Sequence, residues 1–168
     1  MNIFDFALKM ELDGEKYYRE QAQKTKYEDL KIVLTGLADD EQRHYEIVQS
    51  IQKQTFKYIE ADPSLSNVRN VFRSYKDDIT ALKNEVSIEK LKDEQLDIYR
   101  VALVKEKESV ELYRKMKEDT KNIEEKMILE KLMNEEKRHE EVIDSIIDML
   151  NHVHDWAEAA EFGNRGKY

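Results

Sequence analysis

The sequence contains no cysteine, and this absence removes several classes of metal and redox site. Disulfide bonds, zinc sites with thiolate ligands and iron centres ligated by cysteine are all excluded. No run of apolar residues is long enough for a membrane span, and the N-terminus lacks the basic and apolar regions of a secretory signal. We therefore expect a soluble, cytoplasmic protein.

Proline and glycine are also scarce, with one proline and four glycines in 168 residues. Glu, Lys, Leu and Ala are abundant, and no segment shows the sustained alternation of apolar and polar residues that is typical of a strand. The composition therefore predicts a single all-α domain over residues 1–168. The net charge of −9 argues against nucleic acid as a partner, because phosphate binding needs a basic surface.

Apolar residues recur every three or four positions in four segments, and this period predicts four helices. The predicted helices run over about 3–23, 28–58, 93–117 and 123–153. Asn2 is the predicted N-cap of the first helix. Residues 61–92, which contain the only proline, are long enough to cross one end of an antiparallel four-helix bundle. Residues 154–168 are predicted to form a C-terminal tail.

A Glu-x-x-His motif occurs twice, beginning at Glu41 and again 95 residues later at Glu136. The same offset carries Glu11 onto Glu106, and the register needs no gap across the two segments. The chain is therefore predicted to contain an internal repeat of one helix pair. The two copies are residues 3–58 and 93–153.

Both Glu-x-x-His motifs lie on stripes of aliphatic residues, which places their ionisable side chains on the buried faces of the helices. Buried carboxylates need a counter-charge, because an isolated ionised group in a dry core is strongly destabilising. Two divalent cations would provide it, and residues three apart on a helix can hold one metal between them. The predicted ligands are Glu11, Glu41, His44, Glu106, Glu136 and His139. Oxygen and imidazole ligands suit two iron ions, with manganese or zinc as alternatives.

Several of these residues also have simpler interpretations that involve no metal. The six ionisable side chains could form a metal-free polar network inside a helical bundle. Tyr18 and Tyr113, which are also 95 residues apart, could be packed core tyrosines. We expect Arg43 and Arg138 to be solvated or paired with surface carboxylates. Gly14, in the middle of a helix, indicates close packing near Glu11.

The six residues and their order along the chain resemble the ferritin-like di-iron carboxylate proteins, and among them the rubrerythrin-like proteins without the rubredoxin domain. In that family the first and third helices each give one glutamate, and the second and fourth each give Glu-x-x-His. The resemblance implies a ferritin-like four-helix bundle in which Tyr18 and Tyr113 hydrogen-bond the metal ligands. Ser109 stands three residues after Glu106, where the family commonly has an additional glutamate.

The resemblance also implies an oxidoreductase that reduces peroxide or dioxygen and acts in oxidative stress. Because the chain has no cysteine for a rubredoxin-type centre, the electrons would come from an external donor protein. A ferroxidase or iron-handling protein is the first alternative, and a metal-free helical scaffold is the second. A homodimer is the expected assembly.

Overall fold

A computed structural model describes residues 2–26, 28–60 and 85–152, and within these ranges it contains four α-helices and no strand. The helices are α1 (Ile3–Lys24), α2 (Glu28–Gln52), α3 (Glu85–Asp119) and α4 (Ile123–Asn151). They form an antiparallel four-helix bundle in which α1 packs along α2 and α3 packs along α4. The predicted all-α bundle is therefore confirmed. Most of the predicted crossover, over residues 61–84, and the whole of the tail lie outside the described residues.

None of the described helices combines the length and the apolar character that crossing a membrane requires.

Two asparagines fix where α1 and α4 begin. The side-chain oxygen of Asn2 accepts a hydrogen bond from the backbone N–H of Asp5 at 2.9 Å, which confirms the predicted N-cap. Asn122 accepts from the backbone N–H of Glu125 at 3.0 Å in the same way. Each bond satisfies one of the N–H groups that the first turn of a helix leaves without a partner.

The second helix ends at Gln52, so the prediction that it extends to Tyr58 is wrong. Gln54 and Phe56 have φ angles of 59° and 50°, in the left-handed region that no right-handed helix passes through. The chain therefore leaves the helix and turns. We refer to residues 53–60 as the strap.

Ser50 holds the strap against the end of α2. Its carbonyl oxygen accepts from the backbone N–H of Thr55 at 2.8 Å, and its hydroxyl oxygen accepts from the backbone N–H of Lys57 at 3.0 Å. Further along, the carbonyl oxygen of Ile59 accepts from the guanidinium of Arg43 at 2.6 Å. The strap therefore runs back toward the middle of α2.

The third helix begins at Glu85, so the prediction of a start near Asp93 is also wrong. The intervening residues are mostly Glu, Lys, Leu, Ile and Val, without glycine or proline. These residues allow a helix to continue even where its apolar stripe is weak. The crossover is accordingly shorter than predicted, because residues 85–92 belong to α3.

Two apolar clusters fill the interior of the bundle. The first includes Tyr18, Leu30, Leu34, Leu37, Leu96, Tyr99, Ile143 and Ile146. The second includes Ala7, Val48, Ile51, Tyr113, Leu129 and Leu132. On every helix, the predicted metal ligands fall between the residues that enter one cluster and those that enter the other. We refer to Glu11, Glu41, His44, Glu106, Glu136 and His139 together as the charged layer.

The packing predicts how two leucines differ in their contribution to stability. Leu132 is fully buried in the second cluster, whereas Leu12 on α1 is 48% exposed. We expect Leu132→Ala to lower the free energy of unfolding of the metal-free protein by about 2–5 kcal/mol, because it leaves a cavity in a packed core. Leu12→Ala should change it by less than about 0.5 kcal/mol. Chemical denaturation measures both, and equal effects would contradict this packing.

Candidate metal centre

The bundle brings the six predicted ligands together in its interior. Each of the four helices contributes to the charged layer, and no residue of the layer is more than 3% exposed. Their apolar neighbours along the helices, among them Leu37 and Leu132, are fully buried as predicted. The position of the layer thus follows from ionisable residues occupying core positions of otherwise aliphatic helix faces.

The layer divides into two overlapping groups whose ligand atoms lie within 4.8 Å of one another. One group is Glu11, Glu41, His44 and Glu136; the other is Glu41, Glu106, Glu136 and His139. Glu41 and Glu136 belong to both groups, so each has the position of a carboxylate that could bridge two metals. Glu11 with His44, and Glu106 with His139, would then be the ligands particular to each metal position.

Both histidines present Nδ1 to the carboxylates. Nδ1 of His44 lies 2.8 Å from Oε1 of Glu136 and 3.7 Å from Oε2 of Glu11. Nδ1 of His139 lies 3.4 Å from Oε1 of Glu106. The two imidazole rings are roughly parallel, with ring centres 5.7 Å apart. The other nitrogen of each ring points away from the layer, toward a carboxylate that sequence reasoning did not single out.

Two tyrosines tie the halves of the repeat to each other. The Tyr18 hydroxyl donates to Oε1 of Glu106 at 2.5 Å, and the Tyr113 hydroxyl donates to Oε1 of Glu11. Each tyrosine therefore contacts the glutamate of the opposite helix rather than the one seven residues before it in its own helix. These bonds fix one oxygen of each carboxylate and leave the other oxygen facing the interior of the site.

The buried ionisable groups of the layer shift one another's pKa values. Burial lowers the pKa of His139, but the charge of Glu106 and the bond to Asp40 raise it well above its ordinary value of 6.5. Burial also lowers the pKa of His44, but the charges of Glu136 and Glu11 have the larger effect and raise this pKa well above its ordinary value. Burial raises the pKa of the carboxyls of Glu41 and Glu136, and the charges of neighbouring glutamates raise each further.

The pKa values of Glu11 and Glu106, each of which belongs to only one of the two groups, are shifted in the opposite direction. Burial raises the pKa of Glu106, but the charge of His139 lowers it to about 2. The pKa of Glu11 is lowered as well: burial opposes this shift, while a hydrogen bond with Glu41 and the charge of His44 produce it. The surroundings of the layer therefore favour protons on its two shared carboxyls and on both imidazoles, and favour the ionised form of the other two carboxylates.

Atoms without a hydrogen-bond partner test whether the layer fits a metal. Among the described residues, buried atoms of this kind include one carboxylate oxygen, Oε2, on each of Glu11, Glu106 and Glu136, together with Nδ1 of His139. Buried polar atoms are rarely left unsatisfied in a folded protein. Carboxylate oxygens combined with imidazole nitrogens are a donor set that iron accepts. These residues therefore fit a metal such as iron.

Asp40 and Glu135 are acidic residues that the sequence analysis did not identify as part of the site. Nε2 of His139 lies 2.8 Å from Oδ2 of Asp40, and Nε2 of His44 lies 3.4 Å from Oε1 of Glu135. The two are themselves 95 residues apart and immediately precede Glu41 and Glu136. The repeat is the signal that marks them in the sequence, because an acidic residue precedes both Glu-x-x-His motifs.

Arg43 contacts both of these carboxylates, which corrects the expectation that it is solvated or paired at the surface. Its side chain is 10% exposed, and it forms ion pairs with Asp40 at 3.3 Å and with Glu135. The Tyr58 hydroxyl donates to Glu135 at 2.7 Å. Arg138, the counterpart of Arg43 in the repeat, is exposed.

A cavity of about 220 Å³ reaches the layer between α1 and α3, where its lining includes Tyr18, Glu41 and Glu106. Gly14 and Ser109, which are equivalent in the repeat, both line it. A Cβ atom at Gly14 would lie 3.3 Å from Oε2 of Glu41. The close approach predicted for this glycine is therefore to Glu41 rather than to Glu11.

In a comparison with known families, the family model named Rubrerythrin matches residues 2–147. The matched range includes every residue of the charged layer, together with Asp40, Glu135 and both tyrosines. Comparisons with curated proteins and with solved structures gave no match.

The raised pKa values predict that metal stabilises the protein more at higher pH. Charged His44 and His139 contribute stability to the metal-free protein that is fully present below about pH 6.5 and is lost as pH rises through their raised pKa values. The raised pKa values of Glu41 and Glu136 act in the same direction. Bound metal replaces these protons, so we expect the increase in Tm caused by manganese(II) to grow from about pH 6 to about pH 9. An increase that is constant or shrinks would contradict this protonation pattern.

Proposed function

Because the chain belongs to the rubrerythrin family, we propose that it is a di-iron oxidoreductase that reduces peroxide or dioxygen with electrons from an external donor. The observation that carries the proposal is the charged layer, in which two overlapping groups of ligands share Glu41 and Glu136. A family match and a buried set of carboxylates and histidines together fit a di-iron protein. The choice of oxidant is part of the proposal.

In this proposal the layer holds two iron ions, which when bound supply the electrons that reduce the oxidant. Glu11 and His44 would belong to one ion, Glu106 and His139 to the other, and Glu41 and Glu136 to both. The hydroxyls of Tyr18 and Tyr113 keep the carboxylates of Glu106 and Glu11 in place while the charge of the site changes. The two apolar clusters exclude bulk water above and below the layer.

The cavity between α1 and α3 suits a small oxidant. At about 220 Å³ it has room for peroxide or dioxygen, and its inner end reaches carboxylates of the layer. The charges of Lys9 and Lys105 at its wall are matched by those of Asp13 and Glu108, so the approach does not strongly favour ions of either sign. Both histidines come from α2 and α4, which leaves the α1 and α3 side of the layer open to an added ligand.

Ser109 stands where the family commonly has an additional glutamate, so its contacts bear on how many carboxylates the site contains. Its hydroxyl donates to the carbonyl oxygen of Lys105 at 3.0 Å and lies 3.4 Å from the sulfur of Met10. The hydroxyl is thus engaged beside the cavity wall, where a glutamate would extend a further carboxylate. We propose that the site works with four glutamates, and that the room left by Ser109 is available to the oxidant.

Iron binding and oxidation test the proposal directly. Wild-type protein titrated with ferrous iron under anaerobic conditions should bind two ions per chain, and one equivalent of hydrogen peroxide should then oxidise both, as seen by visible absorption. Glu41→Ala and His139→Ala should each reduce the amount of iron bound, because each removes a ligand of the layer. Bound ferrous iron that peroxide does not oxidise would refute the peroxide-reducing function.

The same experiment separates the ferroxidase alternative and the scaffold alternative. In repeated cycles of reduction and peroxide addition, an oxidoreductase keeps the same two ions, whereas a ferroxidase releases ferric iron and takes up more ferrous iron. Wild-type protein that binds no iron would support the metal-free scaffold. Sedimentation of the oxidised sample would show whether any iron has collected in a large assembly.

Filling the cavity should slow oxidation without preventing iron binding. We expect Ser109→Leu to slow the oxidation of the ferrous protein by peroxide several-fold, because the larger side chain occupies space beside the layer. Ser145→Leu is the matched control, since Ser145 also donates to the carbonyl four residues earlier but is exposed on α4. Stopped-flow absorption measures the rate. Equal rates in the two variants, with full iron content, would show that the oxidant takes another path.

A further inference from the structure

Met10 is the one sulfur-containing side chain among the described residues that line the cavity between α1 and α3. It is partly buried and packs against the second apolar cluster. Its sulfur lies 3.4 Å from the hydroxyl oxygen of Ser109, which is also part of the cavity wall. The Ser109 hydroxyl has a single proton, which the carbonyl oxygen of Lys105 accepts at 3.0 Å. Because a thioether sulfur has two lone pairs, at least one stays available to a molecule in the cavity.

We propose that Met10 is a site of reversible modification by peroxide, and that its sulfoxide obstructs the route to the charged layer. The inference rests on the proposed function, in which this cavity admits the oxidant, and it concerns a residue that is not a metal ligand. Peroxide that enters the cavity meets the sulfur of Met10 beside Ser109, in the same space that reaches Glu41 and Glu106. A modification at this point therefore acts on the path of the oxidant itself.

The reaction needs only hydrogen peroxide and the thioether of Met10. A lone pair of the sulfur attacks one oxygen of the peroxide, so that an S–O bond forms while the O–O bond breaks. The sulfur is oxidised by two electrons, and the departing hydroxide takes the proton of the transferred oxygen and leaves as water. The product is methionine sulfoxide, which dedicated sulfoxide reductases return to methionine. The modification is therefore reversible.

Oxidation changes the cavity wall at Met10 from apolar to polar. The sulfoxide adds an oxygen atom, which is a stronger hydrogen-bond acceptor than the thioether sulfur. This oxygen would compete with the carbonyl oxygen of Lys105 for the Ser109 hydroxyl, and it would hold water in a space of about 220 Å³. Because the inner end of this space reaches the charged layer, the added atom and the bound water should slow the approach of further peroxide.

Two other methionines supply internal controls. Met127 is 58% exposed on α4, whereas Met116 is 3% exposed inside the second apolar cluster. Neither of them lines the cavity. If contact with bulk solvent alone determined the rate, Met10 would be oxidised much more slowly than Met127, because oxidation of methionine follows exposure. A cavity that admits peroxide instead predicts similar rates at Met10 and Met127.

Peptide mass spectrometry of the metal-free protein, after timed exposure to hydrogen peroxide, measures the modification at each methionine. We expect the rate at Met10 to lie within about 3-fold of that at Met127, and the rate at Met116 to be at least about 10-fold lower than either. Ser109→Leu should slow the reaction at Met10 several-fold and leave that at Met127 unchanged. The exposed control Ser145→Leu should change neither rate.

Two results of this experiment would overturn the proposal. One is a Met10 that stays unmodified while Met127 reacts. The other is a rate at Met10 that is the same in wild type and in Ser109→Leu, because peroxide would then reach the sulfur by another path. If Ser109→Leu does not fold, Ser109→Val, which adds less volume, takes its place and should slow the reaction at Met10 by a smaller factor.

A second measurement tests whether the sulfoxide obstructs the cavity. Metal-free protein is oxidised, freed of peroxide and divided, and a sulfoxide reductase restores methionine in one half. Both halves are loaded anaerobically to equal ferrous iron content and mixed with peroxide in a stopped-flow instrument. In wild type, the half that keeps the sulfoxide should react several-fold more slowly. In Met10→Leu, which has a similar volume and no sulfur, the two halves should react at equal rates.

The outcomes distinguish this inference from the proposed function. Equal rates in the two halves of wild type, with Met10 oxidised in one of them, would overturn the obstruction. Slowing that persists in Met10→Leu would overturn it as well, because another methionine would then be responsible. Protein whose bound ferrous iron is not oxidised by peroxide would instead refute the proposed function, whereas the mass spectrometry would still show whether peroxide reaches Met10 through the cavity.

Discussion

The arrangement of the bundle depends on the burial of four carboxylates and two imidazoles in one layer. Such a set is unfavourable unless its charge is balanced, because water is excluded by apolar clusters on both sides. Without metal, the raised pKa values of His139, Glu41 and Glu136 favour the uptake of protons, which reduces the negative charge of the layer. Two divalent ions would provide the balance with ligand atoms that otherwise lack hydrogen bonds, among them Oε2 of Glu11 and of Glu136.

The repeat makes the metal centre nearly symmetric, but several contacts differ between its two halves. Gly14 and Ser109 occupy equivalent positions in the repeat and line the same cavity. The cavity reaches Glu41, which lies next to Gly14, the position without a side chain. Arg43 is buried between Asp40 and Glu135, whereas Arg138 is exposed. The strap follows α2 and adds Tyr58 to one side. An oxidant would therefore approach a site whose two metal positions have different surroundings.

The fold and the members of the charged layer could be predicted because they depend on periodicity and spacing, which the sequence states directly. Leu37 and Leu132 mark buried faces, and the offset of 95 residues identifies Glu41 and Glu136 as partners. The end of α2 could not be predicted, because it depends on left-handed backbone at Gln54 and Phe56, residues that do not favour that conformation by themselves.

The buried position of Arg43 could not be predicted for a related reason. In the sequence, Arg43 and Arg138 occupy the same place in the repeat, and nothing in their neighbours along the chain separates them. They differ because the strap covers one side of α2 and because Glu135 reaches across from α4. Contacts of this kind depend on the packing of distant segments, so only the folded structure can distinguish the two arginines.

The most direct test of the central claim is the anomalous diffraction of crystals loaded with ferrous iron, measured at the iron absorption edge. Two peaks inside the bundle are expected, both adjacent to the carboxylates of Glu41 and Glu136, with one beside His44 and the other beside His139. A single peak, or peaks confined to the acidic surface with none inside the charged layer, would contradict the account.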